Sequence, residues 1–155
     1  MTALPSTITV NGVDQGALVV LLGNLVAQVN SITSALLGTA LVTKPVLAIG
    51  SSTANVANQA FAFSIAGVQY IKAAVAAGTA PGNDVVPTGT FGAVALDIAA
   101  DLVITAVEAT ANATGYASAA LALAGLPAVA AAHVRMGTVT ATKSDGDFTF
   151  GTTEL

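Results

Sequence analysis

The chain has 155 residues, enough for one ordinary domain or a small domain with an appended element. Only 8% of them are charged, against about 25% in a typical soluble domain, and the basic ones are Lys44, Lys72, Arg135 and Lys143. A net charge of −4 with four scattered cations excludes a phosphate-tracking nucleic-acid surface, and the absence of cysteine excludes disulfides and thiolate metal sites.

Hydrophobic residues make up 54% of the chain, but much of that is alanine, and the aromatics are five Phe and two Tyr. Small side chains pack closely and fill a core poorly. A lone monomer of this size leaves roughly a third of its unfolded surface exposed. With so little charge available, that surface must be dressed in Thr, Ser, Asn and Ala or hidden against other copies. Nearly neutral apolar surfaces associate. The composition therefore points to a self-associating structural protein. Met1 to Val10 has no basic stretch ahead of an apolar run and does not read as a secretory signal, so synthesis and assembly inside the cell are expected.

The first predicted element is a helix. Asn11 or Asp14 can cap a start near Gln15, and Leu18, Leu22, Leu25, Val29, Ile32 and Leu36 then recur at alternating spacings of four and three. This is a heptad stripe of nearly three repeats, the pattern of a coiled-coil seam. Two readings stay open: a seam between copies, or a helix packed on its own domain. Flanking coiled-coil positions normally carry Glu and Lys, whereas here they hold Val19, Val26, Asn24, Ser31 and Thr33. Such a helix is expected to have protein on more than one side, and Gly23 permits a close approach. Gly38 and Thr39 suit its end, and Pro45 forbids continuation. Ala17 to Val42 contains no charge, but Asn24, Gln28, Asn30, Ser31, Thr33 and Ser34 interrupt it. It falls short of the roughly 20 predominantly apolar residues that a membrane span needs.

After Pro45 the heptad spacing gives way to alternation, which divides the chain into an assembly element over 1–44 and a β-rich domain over 45–155. Val46 to Ile49 is a short strand. Phe61, Phe63 and Ile65, the turn Ala66-Gly67, and Val68, Tyr70 and Lys72 spell a hairpin. Gly78 to Gly89, with Pro81, Gly82, Asn83, Asp84 and Pro87, reads as a loop. Phe91 to Ile98 and Leu102 to Ala109 form a second hairpin around Ala99-Ala100-Asp101. Ala119 to Leu123 and His133 to Thr142 are further strands, joined through Pro127, and Asp145-Gly146 turns the chain into Phe148 to Phe150. Alanine-rich Ile71 to Ala77 and Ala128 to Ala132 also suit helical turns. The expected fold is mainly β: an N-terminal helix followed by a small antiparallel β-sandwich or barrel-like domain.

Candidate chemistry is sparse. His133 is the sole histidine, and with no cysteine and no evident serine partner it makes a poor catalytic base. Asp97 and Asp101 flank one hairpin and could approach each other as a carboxylate pair, but Asp101 sits where turns favour Asp for local bonding. Asp145-Gly146-Asp147 has the look of part of a calcium loop without the remaining oxygen ligands, so it reads as a turn. No glycine pattern fits a phosphate loop. No catalytic, cofactor-binding or metal residue is expected, and the chain is not read as an enzyme. The aromatics all lie in the strand-rich part, where they suit a core; Tyr116, in the polar stretch Asn112 to Ser118, could instead serve a carbohydrate- or receptor-binding module.

Three stretches carry a resemblance: NQAFAFSIAGVQYIKAAVAAGTA (Asn58 to Ala80), ATGYASAALALAGLPAVAAAHVRMGTVTA (Ala113 to Ala141) and FTFGTTEL (Phe148 to Leu155). They resemble small Ala/Thr/Gly-rich structural proteins of tailed-bacteriophage virions, most of all capsid decoration (cement) proteins or the shell-attached part of head fibres. The resemblance is one of texture and order of phrases over Asn58 to Leu155. It implies a homo-oligomer, commonly a trimer, made in the host cytoplasm, bound to the major capsid protein on the outside of the head and stabilising it. It defines no residue-level site. A fibre, tail or filament subunit is the second structural reading. In either, the contacts between copies are expected to run through Leu18, Leu22, Leu25, Val29, Ile32 and Leu36, without nucleic acid, membrane or cofactor.

Overall fold

A computed structural model describes residues 9–10 and 13–155. The chain divides into two units, Met1–Leu36 and Leu37–Leu155. In the first, strands β1 (Thr9–Val10) and β2 (Val13–Asp14) pair antiparallel ahead of helix α1 (Gln15–Leu37). The capping candidate Asn11 lies outside the described residues. Gly38 at φ +48 follows the helix, a left-handed residue that stops it as the sequence suggests.

The second unit is mainly β, as expected. It runs through β3 (Ala40–Leu41), β4 (Leu47–Ile49), β5 (Val56–Asn58), β6 (Phe61–Ile65), β7 (Val68–Lys72), β8 (Val75–Thr79), β9 (Val85–Val86), β10 (Phe91–Ala99), β11 (Ile104–Glu108), helix α2 (Ala119–Ala124), β12 (His133–Thr142) and β13 (Phe148–Thr149). These strands form small antiparallel sheets in the orders β3-β6-β7, β4-β5-β8, β11-β10-β12 and β13-β9. Val56, Phe61, Phe63 and Ile65 from the first two sheets meet Leu96, Ile98, Val134 and Met136 of the third in one apolar cluster, the sandwich-like core. Further along β10, Val94 packs with Val86, Phe148 and Phe150, whose two rings meet edge to face.

The β6–β7 hairpin falls where alternation put it. Ala66 (φ +49) and Gly67 (φ +77) are both left-handed, the type I′ geometry that matches strand twist. Phe63 stacks on Tyr70 across it, with ring centroids 5.4 Å apart. Ile71 to Ala77 forms no helical turn, since it falls on β7 and β8. The expected loop over Gly78 to Gly89 holds the short strand β9, because Val85 and Val86 find partners in Thr149 and Phe148.

One expectation is overturned. Ala119 to Leu123, read as a strand, is the helix α2. Ser118 in extended backbone accepts from the Leu121 amide and caps it, and the Ala and Leu that follow are strong helix formers. Its buried Ala122 lies with Ala93 and Ala109 in a small cluster on the other side of β10. That is why Gly92 to Ile98 is buried at every residue, a continuous run where a half-exposed strand would alternate.

Candidate functional site

α1 carries no acidic residue in its first turn and no basic residue in its last, and no charge between. Its continuity from Gln15 to Leu37 brings Leu18, Leu22, Leu25, Val29, Ile32 and Leu36 onto one arc about 80° wide. All six are exposed, from 46% at Leu18 to 78% at Leu36. Apolar exposure spreads beyond that arc. Val19 and Val26 flank it on one side and Leu21 on the other, widening it to about 160°, and Val20 lies behind. The remainder of the described surface is small or uncharged: Gly23, with open space where a Cβ would stand, Asn24, Ala27, Gln28 and Ser31. A strict two-helix seam needs only the narrow stripe, whereas this breadth suits a helix enclosed by more than one neighbour. Among the described residues no helix is long and apolar enough to cross a membrane.

In the β-rich unit, the residues singled out for chemistry each make structural contacts. His133 Nδ1 lies 2.9 Å from the Ala131 carbonyl. Asp97 and Asp101 are not brought together. Asp97 is buried and takes a two-point grip from Arg135, Nε to Oδ1 at 2.9 Å and Nη2 to Oδ2 at 3.2 Å, while Asp101 accepts from the Val103 amide within its own turn. The pair sits at a bulge, where β10 and β12 shift register between Leu96 and Asp97, and Arg135 also donates to the Pro127 carbonyl. Asp147 accepts from the amide and hydroxyl of Thr88, so the Asp145-Gly146-Asp147 turn closes onto the end of β9. Among the described residues no group of three or more His, Asp or Glu stands ready for a metal. Tyr116 is half-buried; its hydroxyl accepts from the Ala111 amide, and a Cβ on Gly125 would run into its ring.

Two arrangements had no signal in sequence. Glu108 Oε1 accepts from the amides of Asn83 and Asp84, and Asp84 in turn is pushed above the usual aspartate range by burial and then by the neighbouring Glu108 charge. Asn112, fully buried, exchanges two bonds with the Ala93 backbone and so prolongs the sheet with a side chain. An apolar groove of about 620 Å³ runs between β4 and the end of β12, lined by Leu47, Ile49, Val139, Ala141, Phe148 and Leu155. Its charged members are Lys143 and Glu154, and Glu154 already accepts from the Thr53 hydroxyl.

No protein family, no curated protein and no solved structure matches the chain. The surface that stands out from the residues upward is therefore α1.

Proposed function

We propose that the chain is a structural subunit, completed by other copies of itself through α1, and that it serves as a decoration protein on the outside of a phage head. The observation that carries the first part is the charge-free helix whose apolar side chains are exposed over an arc of about 160°. A charge-free helix with so broad an exposed apolar face calls for protein cover. The width of the apolar arc favours three helices over two, a homotrimer held by a short coiled coil. The capsid assignment, with the major capsid protein as partner, rests on the sequence resemblance, and the low charge suits a surface covered by neighbours.

Leu25 and Ile32 are 56% and 60% exposed, so about 1–1.5 kcal/mol of burial remains to be gained at each on association. Repeated over three copies this reaches roughly 6–9 kcal/mol, before counting carboxylates forced into the seam. Leu25→Asp with Ile32→Asp should therefore break the trimer, read as a fall in mass by light scattering. An unchanged mass would refute the seam. Cryo-EM of the native assembly tests the second part: density on icosahedral heads supports decoration, whereas linear polymers would replace it with a fibre or tail subunit.

A further inference from the structure

We infer a second self-association surface in the β-rich unit: the free edge of β7, which pairs antiparallel with β7 of another copy about a twofold axis through Tyr70. Among the described residues β7 ends its sheet and is hydrogen-bonded only to β6. The two-residue turn at Ala66-Gly67 makes Ile65 and Val68 a hydrogen-bonded pair. Alternation then turns the N–H and C=O of Val68, Tyr70 and Lys72 toward β6, and those of Gln69 and Ile71 outward. The same parity holds on the far side of β6, where the Ala62 carbonyl accepts from Val42 in the direction away from β7.

This edge lacks the usual protections. Natural edges are blunted by Pro, by bulges or by an outward charge, most often Lys. β7 has no proline, its register with β6 is unbroken over five residues, and Val68 and Ile71 are 54% and 71% exposed. Its one charge is drawn aside: the Lys72 ammonium donates to the Leu102 carbonyl at 2.8 Å. An exposed, flat, apolar edge is a template for another strand.

The edge is also complementary to itself. Centred on Tyr70, Gln69 of one copy faces Ile71 of the other, twice over, and the four outward-pointing groups on each strand satisfy one another in four backbone bonds. Lys72 falls opposite Val68, so no like charges meet and the lysine stem can lie over an apolar neighbour. Two three-stranded sheets become one of six. Because the contact is isologous it closes as a pair. Together with the helix seam, on which it does not depend, it would link trimers to each other and leave few copies with a bare edge.

The test uses the full chain with and without Leu25→Asp and Ile32→Asp in α1. Ile71→Pro deletes an outward N–H that no bond among the described residues uses, and Gln69→Lys with Ile71→Lys sets charges face to face while keeping the backbone. In the seam-broken background a dimer is expected, and either edge variant should halve its mass. Since the chain has no cysteine, Gln69→Cys and Ile71→Cys chains add a test of register: mixed and oxidised they should cross-link, and neither should do so alone. A monomeric seam-broken chain, edge variants that leave its mass unchanged, or cross-linking of each cysteine chain by itself as readily as in the mixture would overturn the pairing. If the seam substitutions change nothing but the edge variants halve the mass, the helix reading fails and the edge stands.

Discussion

Removing Arg135 should destabilise the β-rich unit more than removing Asp97, although the two form one ion pair. The asymmetry comes from burial. The Asp97 side chain is 2% exposed and that of Arg135 is 23% exposed. Arg135→Ala leaves a carboxylate sealed between sheet and bulge without its two donors, a loss of about 3–5 kcal/mol for a buried charge stripped of its partner. Asp97→Ala leaves a guanidinium that keeps its bond to Pro127 and reaches water, so only the charged hydrogen bonds are lost, about 1.5–3 kcal/mol. The expected gap is therefore about 1–2 kcal/mol. The chain has no Trp, so unfolding in urea is best followed by circular dichroism, at matched concentration because association shifts apparent stability. Equal losses, or a larger one for Asp97→Ala, would show that the bulge exposes the carboxylate and would refute the reasoning.

Three further outcomes are expected. Ala66→Asn should stabilise the chain by about 1 kcal/mol, since Ala66 is a non-glycine residue at positive φ and Asn visits that region readily; thermal melts read it. The proton on Asp84 is held more tightly in the folded chain than in the unfolded one. Its contribution is thus fully present below about pH 4, the ordinary aspartate range, and is lost as pH rises through the raised folded value. Asp84→Asn should accordingly raise stability near neutral pH, leave it nearly unchanged in acid, and flatten the pH dependence of the urea midpoint. Gly125→Ala should cost about 1–3 kcal/mol by driving a methyl into Tyr116, and Tyr116→Phe about 1 kcal/mol by orphaning the Ala111 amide. Losses that simply add in the double variant would mean that the two residues are not in contact.

Local pattern carried much of the fold. Phe61 to Lys72 is a hairpin because alternation and a Gly-containing two-residue turn agree, and both are properties of neighbours in sequence. His133 to Thr142 is a strand for the same reason, and the helix runs from Gln15 to Leu37 because its apolar spacing persists to the glycine that stops it. The heptad stripe was legible too, and α1 presents those six residues on one exposed arc.

What sequence left open depends on residues distant along the chain. Ala119 to Leu123 reads as a strand in sequence, where alanine has no strong side-chain signature; Ser118 as a cap and the small-residue surface of β10 decide for the helix. Asp97 and Asp101 lie four positions apart and suggested a pair, yet a bulge and an arginine 38 positions away claim the first. The exposure of the apolar residues on α1, and the edge of β7 left unpaired among the described residues, are likewise invisible to periodicity. Spacing says which residues share a face, whereas only the folded chain says which faces and which backbone groups still lack a partner. Composition by itself set how little charge this protein has to cover its surface; tertiary structure showed where, on α1 and along β7 among other places, large apolar side chains stay exposed.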